Sequence, residues 1–462
     1  MKEENVFYID ISDYLNSNDV KVGILYAPLG GNYGLITHEE YCLLKSQPDK
    51  YHKDVWTSLS KETEGLVDHF RTDTAELYQI DILANNKCNF SCTYCYSAAG
   101  RSSQVLDLAK VKTLVDFLFK SNHNPKQPYI IHFSGGGEPL LSLDLIKQTV
   151  SYLEETSSEG NRHPYKLGIV TNGSLVDEPT AQWLHSKNIE IVISFEILEH
   201  LQNKERGNYK LVSSNIQRLS ALGIPFSIRT TFTSEGISYM SDMVEEVYNK
   251  FPGIRNLTFD VVLAPRLFPQ DNDLRDYYRR FLDGFYKAKE RGKELNIGVS
   301  CLAAEPLYSL RDRMCNGKFV LTPWGELSAC SRVTSSNENH YNHYRFGYVS
   351  HNAVVIDEEH FAMIMGDSNI HSETGQSGYQ LLDCRKCFAR WNCGGGCSLF
   401  NKMFPPDTAD GIAQGVRFHE ARCEFVREAL RRQLFSVIRH RIQKKYGVEI
   451  DKYIEIQHTT SS

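Results

Sequence analysis

The chain has 462 residues, 41% hydrophobic and 23% charged; these near-ordinary globular values exclude a disordered, fibrous or disulfide-stapled miniature chain and suggest about three domains. Lys and Arg total 51 against 57 Asp and Glu, a formal charge of -6, so no whole-chain basic field draws the protein to nucleic acid. MKEENVFYID lacks the basic and apolar regions of a signal peptide and no apolar run approaches a membrane span, so the expected location is cytoplasmic, with no membrane and no nucleic-acid partner.

From Val6 to about Ile36 the text reads as short strands, FYIDI, VGILYA and YGLI, with Gly30-Gly31-Asn32 supplying the positive φ of a hairpin turn. Thr37-His38-Glu39-Glu40 forms a capping-box pattern before YCLL, and DVWTSLS and TEGLVDHF read as two further short helices. Residues 1–75 thus make an α+β module, read either as a packing extension or as a recognition unit.

From 76 to 291 strands and helices alternate. LYQIDILA, YIIHFS, YKLGIVT, IEIVISFE, IPFSIRTTF and LTFDVVLA each precede a helical stretch, which predicts an α/β fold whose six βα units form a parallel sheet, closed or nearly closed into a barrel. In the helix after Asp107, Leu108, Val111, Leu114, Val115 and Leu118 share one face, and that face is core. Reactive groups of such barrels sit at the C-terminal ends of the strands.

Residues 292–430 are loop-rich and carry most of the remaining cysteines, with a polar stretch from Ser335 to Gly378. A last amphipathic helix is expected from about His419 to Lys445, which leaves residues 431–462 as C-terminal helix and tail. Its flanks REALRRQ and IRHRIQKK read as a solvated face, with a phosphate-binding patch as the alternative.

Twelve cysteines in a reducing compartment remain thiols, so their clustering signals metal or redox chemistry. Cys88-x3-Cys92-x2-Cys95 follows the first barrel strand directly. Three thiolates there can hold three irons of a cubane and leave the fourth open to substrate. Structural cysteines, or zinc ligands awaiting a fourth, are the alternatives. The second strand ends in Ser134-Gly135-Gly136-Gly137-Glu138-Pro139, where glycines let backbone approach a ligand and Glu138 offers an acceptor to an ammonium group. A tight βα turn explains the same glycines.

The cysteine spacing, Tyr94 before the third cysteine, and GGGEP after strand two resemble the radical S-adenosyl-L-methionine (SAM) superfamily. The resemblance covers roughly residues 77 to 264 and implies a partial (β/α)6 barrel with a SAM-binding [4Fe-4S] cluster on Cys88, Cys92 and Cys95. In that family an electron from the cluster cleaves SAM, and the resulting radical abstracts a hydrogen atom from substrate. By matching motif positions, Gly135, Gly136 and Glu138 would hold the SAM amino group and the backbone around Tyr94 its adenine. Ser194 would meet the ribose and Arg206 the carboxylate. The family usually reads Asp-Gly soon after that serine, where this chain has Glu196-Ile197.

Cys315-x9-Gly325-x4-Cys330, then Cys384-x2-Cys387-x5-Cys393-x3-Cys397, then Cys423 is similar to the SPASM domain of peptide-modifying radical SAM enzymes. The resemblance assigns Cys384, Cys387, Cys393 and Cys423 to a distal auxiliary [4Fe-4S] cluster and Cys315, Cys330 and Cys397 to a proximal one, with Cys301 as its fourth ligand. A zinc ribbon over Cys384 to Cys397 is the alternative. The strand-hairpin-helix order of residues 1–75 is similar to PqqD-like domains, which receive a leader peptide as an added strand.

These resemblances imply an enzyme that installs a cross-link, epimerisation or similar change in a precursor peptide, supplied with electrons by flavodoxin or ferredoxin. An anaerobic sulfatase-maturing enzyme is the first alternative. In that group an aspartate follows the cysteine matching Cys330 and acts as base, whereas this chain has Ser331. A non-catalytic iron-sulfur electron-transfer or scaffold protein is the second.

Overall fold

The three N-terminal segments pair as expected, the first alternating buried and outward residues and the second buried almost throughout. β1 (Phe7–Asp10), β2 (Val22–Ala27) and β3 (Asn32–Thr37) form an antiparallel sheet in that order. The structure is a computed structural model that describes residues 5–16, 21–46, 53–120, 127–158, 163–262, 264, 267–268, 273–367, 369–371, 384–403 and 408–461. Gly31 takes φ +67 between β2 and β3, a conformation glycine adopts without steric cost. The capping box forms: the Thr37 amide donates to Glu40 Oε2 at 2.9 Å and the Glu40 amide donates to Thr37 Oγ1 at 3.1 Å, starting the helix His38–Ser46. DVWTSLS lies in the helix Lys53–Ser60. TEGLVDHF is not helical: Gly65 turns left-handed at φ +74, and Val67–Asp68 forms β4.

The six expected barrel strands are β5 (Gln79–Ile82), β6 (Tyr129–Phe133), β7 (Tyr165–Thr171), β8 (Ile189–Ser194), β9 (Ser227–Phe232) and β10 (Asn256–Val261). They lie parallel in chain order, and β11 (Gly298–Ser300) extends the series past β10. β12 (Leu310–Arg311) pairs instead with β4, a long-range pairing that local periodicity does not report. β13 (Phe319–Leu321) pairs parallel with β5, and β14 (Glu326–Ser328), β15 (Arg345–Val349) and β16 (Val354–Ile356) continue antiparallel. The result is an open, mixed 11-stranded sheet. This corrects the closed or nearly closed barrel, because β13 occupies the β5 edge that closure would need. Within the polar stretch from Ser335 to Gly378 lie a hairpin and the helix Glu358–Gly366, with residues 368 and 372–378 outside the described set.

Contacts divide the chain into two units. One holds Arg71–Cys301 and Gly317–Gly366. In it Tyr129, Ile131 and Phe133 of β6 are buried on the side of the helix Leu108–Lys120, whose Phe119 ring stacks 5.0 Å from Tyr129. Val111, Leu114, Val115 and Leu118 of that helix are buried as predicted. The alternating residue His132 points to the opposite face, where its Nδ1 lies 3.9 Å from Asp81 of β5.

The other unit holds Met1–Phe70, Leu302–Asn316 and Asp367–Ser462. Its core joins Ile9, Ile24 and Tyr26 to Leu430, Leu434 and Ile438 of the helix Ala409–Tyr446. That helix begins ahead of the expected His419, because Thr408 Oγ1 accepts from the Gly411 amide at 3.0 Å and caps it. Residues 1–75 are therefore not a separate bead, and the 292–430 segment is shared between the two units; the linear partition follows chain order, whereas burial groups distant segments.

Candidate active site

The turn after β6 is fastened to the loop after β5 by backbone. The Gly137 amide donates to the Asn85 carbonyl at 3.0 Å and the Glu138 amide to the Lys87 carbonyl at 2.7 Å. The glycines make this layer possible: a Cβ on Gly137 would meet the Lys87 carbonyl oxygen at 1.7 Å, and one on Gly136 would meet Asn86 Oδ1 at 2.5 Å. Gly136 and Gly137 thus admit the close approach of the neighbouring loop. A Cβ on Gly135, which stands at φ +94, would meet Leu83 at 3.6 Å and the Ser331 carbonyl oxygen at 3.7 Å.

Glu138 is already engaged in part. Its carboxylate, 2% exposed, accepts from the Thr171 hydroxyl at 2.6 Å and from the Asn172 and Leu140 amides at 2.7 and 3.2 Å. Burial pushes the carboxyl above its usual range, against these hydrogen bonds and the charge of Arg206. These hydrogen bonds join the ends of β6 and β7. A further network, overlooked in the sequence, runs from Asn89 Nδ2 to Ser174 Oγ at 2.8 Å and from Asn172 Nδ2 to Asn89 Oδ1 at 2.8 Å. Its signal was present: Thr171-Asn172-Gly173-Ser174 stands at the C-terminal end of a parallel strand, as the cysteine loop does.

Tyr94 and Arg206 converge, together with Glu196. Arg206 Nε donates to the Tyr94 hydroxyl at 2.7 Å and to Glu196 Oε1 at 3.0 Å, and the Tyr94 hydroxyl also donates to Glu196. The guanidinium lies 5.3 Å from the Tyr94 ring centroid. Burial pushes Glu196 up despite Arg206. For Arg206 burial opposes the charge, yet Tyr94 and Glu196 hold its pKa above the ordinary value. Ile197, fully buried, stands at φ +63, a left-handed conformation rare for a β-branched residue and natural to the glycine usual there. Ser194 closes β8, half-buried.

Cys88, Cys92 and Cys95 are half-buried, and no cysteine is in a disulfide. Burial pushes the Cys92 thiol up, and its two neighbours add to that, while Arg206 and Arg101 pull it down. Among the described residues no group of three or more His, Cys, Asp or Glu side chains converges on one point as a single metal ion requires. A cubane asks for something different, since each thiolate bonds its own iron. Three mutually sensed thiols flanked by cations fit that demand.

In the other unit, burial pushes Cys423 up to about 12, and Cys393 and Cys387 add to it. Burial also raises Cys387, with Cys393 nearby. Cys384 begins a short turn two residues before Lys386, its carbonyl accepting from the Cys387 amide at 3.1 Å. Cys393 and Cys397 bracket Gly394, Gly395 and Gly396, all at positive φ. Of the residues expected on the proximal cluster, Cys315 and Cys397 fall in this unit and Cys301 and Cys330 in the first.

The radical SAM superfamily profile matches residues 82–247. An uncharacterized protein of Methanocaldococcus jannaschii is 29% identical over 182 residues, 38% of this chain and 60% of that protein; the match thus spans about three fifths of that relative's length. A cysteine-type anaerobic sulfatase-maturating enzyme of Clostridium novyi is 22% identical over 71% of this chain and 90% of its own. Among solved structures, native anSMEcpe with bound AdoMet superposes with TM-score 0.58 at 16% identity, over 78% of this chain and 99% of that one, a likeness of fold. Among the described residues no helix is long and apolar enough to cross a membrane.

Proposed function

Starting from a radical SAM domain at residues 82–247, in an enzyme of the radical SAM class, we propose that this chain modifies a precursor peptide, with Cys88, Cys92 and Cys95 ligating the SAM-binding [4Fe-4S] cluster. The observation that carries the reading is the backbone-bonded layer of cysteine loop and glycine turn, with Tyr94, Glu196 and Arg206 beside it. When bound, cluster and SAM supply reductive cleavage and hydrogen-atom abstraction. The chain's own residues bind and orient. Gly135 and Gly136 offer backbone to the SAM amino group, Ser194 a hydroxyl to the ribose, the backbone at Tyr94 a surface for adenine and Arg206 a cation for the carboxylate. Glu138 is the carboxylate expected at the SAM amino group beside them, and Glu196 keeps Arg206 aimed while charged.

Cys384, Cys387, Cys393 and Cys423 are proposed to hold an auxiliary cluster in a SPASM-type segment, and Cys301, Cys315, Cys330 and Cys397 remain the expected cysteines of a second. That brings the total to about twelve irons. Residues 1–75 are proposed to receive the leader peptide, flavodoxin or ferredoxin to deliver electrons, and the cytoplasm to house the reaction.

Sulfatase maturation is the second reading, favoured by the similarity to the C. novyi enzyme over 90% of that protein. Against it stands position 331: the Ser331 carbonyl lies 3.7 Å from where a Gly135 Cβ would be, so this residue adjoins the proposed site and carries no carboxylate base. The test is mass spectrometry of a precursor peptide after anaerobic turnover, with an aldehyde-trapping hydrazide, for the wild type and for Cys88→Ala/Cys92→Ala/Cys95→Ala. A cross-linked or rearranged product, lost in the triple variant together with SAM cleavage, supports the proposal. Hydrazide capture of a sulfatase-derived peptide instead overturns it in favour of formylglycine formation.

A further inference from the structure

Arg101 follows the cysteine loop by six residues and turns back across it. One terminal guanidinium nitrogen donates to the Phe90 carbonyl, inside the first cysteine spacing, and the other donates to Cys95 Sγ at 3.5 Å. Its Nε is buried without a hydrogen-bond partner among the described residues. The second cation near the loop, Arg206, has a carboxylate 3.0 Å away in Glu196. Arg101 has no such carboxylate: its hydrogen-bond acceptors among the described residues are one sulfur and one carbonyl. The thiol loop therefore faces one cation whose charge is compensated and one whose charge is not. An arginine guanidinium stays protonated across the accessible pH range, so the charge is fixed.

We infer that Arg101 is a positioning residue that sets the reduction potential of the cluster on Cys88, Cys92 and Cys95, through its N–H···S bond and uncompensated charge. The inference rests on the cluster reading proposed above. One electron, delivered by a flavodoxin- or ferredoxin-class donor, adds one negative charge to the cluster and its thiolates, with no proton transferred. A fixed cation and N–H donor at a ligating sulfur favour the more negative state, and so raise the potential. Lys at the same position keeps the charge but loses the planar fork that spans Phe90 and Cys95.

The test is an EPR-monitored titration with dithionite of anaerobically reconstituted full-length protein, as wild type, Arg101→Lys and Arg101→Met. The signal of the Cys88 loop is identified as the one that changes on adding SAM. In Arg101→Met the cluster should be about tenfold harder to reduce, a fall of about 59 mV for a one-electron couple. Arg101→Lys should fall less and retain its iron. Wild-type potentials in both variants would overturn the inference and leave Arg101 as a loop clamp. Loss of the SAM-sensitive signal from both variants overturns it equally, since the residue then only holds the loop. Absence of that signal from the wild type is a separate result, which removes the cluster reading itself.

Discussion

The amide nitrogen of Glu138 stands 2.7 Å from the carbonyl oxygen of Lys87, so the glycine turn after β6 and the cysteine loop after β5 form one hydrogen-bonded layer. Whatever disturbs the first displaces the second. The weakest tolerance is at Gly137, where a methyl group would meet Lys87 backbone at 1.7 Å.

Gly137→Ala is accordingly expected to destabilise the protein by about 3 kcal/mol, the upper range for overpacking against atoms that cannot rotate away. Iron at Cys88, Cys92 and Cys95 should fall with it. Urea unfolding and iron analysis check both. A variant as stable as wild type with full iron content would contradict the layer.

Arg206 and Glu196 form a pair whose side chains are 10% and 4% exposed. Removing one partner strands a buried charge, so Arg206→Met should cost about 3–5 kcal/mol. Glu196→Gln leaves Arg206 without its anion and should cost a similar amount. The double variant Arg206→Met/Glu196→Gln should recover part of the sum, because neither charge is then uncompensated. A double-mutant cycle by chemical denaturation reads the coupling, and strict additivity would deny it.

The N-terminal strands share a core with the helix that carries Cys423: Ile24, fully buried, packs in one cluster with Leu430 and Leu434. Deleting residues 1–75 would therefore strip that helix as well as any leader-binding surface. Ile24→Ala should cost about 2–5 kcal/mol and reduce iron retained at the auxiliary cysteines, a loss readable by iron titre after mild heating. Undiminished stability would make the sheet a detachable appendage.

His69 Nδ1 lies 2.6 Å from Asp312 and its Nε2 lies 2.9 Å from Glu62. Burial alone would push this imidazole down; the hydrogen bonds and charges of Asp312 and Glu62 outweigh it and hold the pKa above the usual 6.5. A group raised on folding contributes stability that is complete below its unfolded pKa and is lost as pH rises through the folded value. The melting temperature of wild type should therefore exceed that of His69→Asn at pH 6 and converge toward it as pH rises to 9. A gap that widens with pH would reverse the sign.

Sequence alone determined the parallel series β5 to β10 and the cysteine loop at its mouth. Strand period, helix period and thiol spacing are local properties, written within a few residues of one another. The capping box at Thr37 and the glycine at position 31 were legible for the same reason. Tertiary structure decided what depends on distant segments meeting. The β13 edge keeps the sheet open because Phe319–Leu321 pairs with β5, residues far apart in the chain. The hydrogen bonds from Thr171 and Asn172 to Glu138 were not legible, because nothing local announces that β7 ends beside that carboxylate. Arg206 was placed by motif, yet its pairing with Tyr94 and Glu196 is set by two strand-end loops brought together across the sheet. A side chain's type and spacing state what it can bond; only the packed backbone states whether a partner has already reached it.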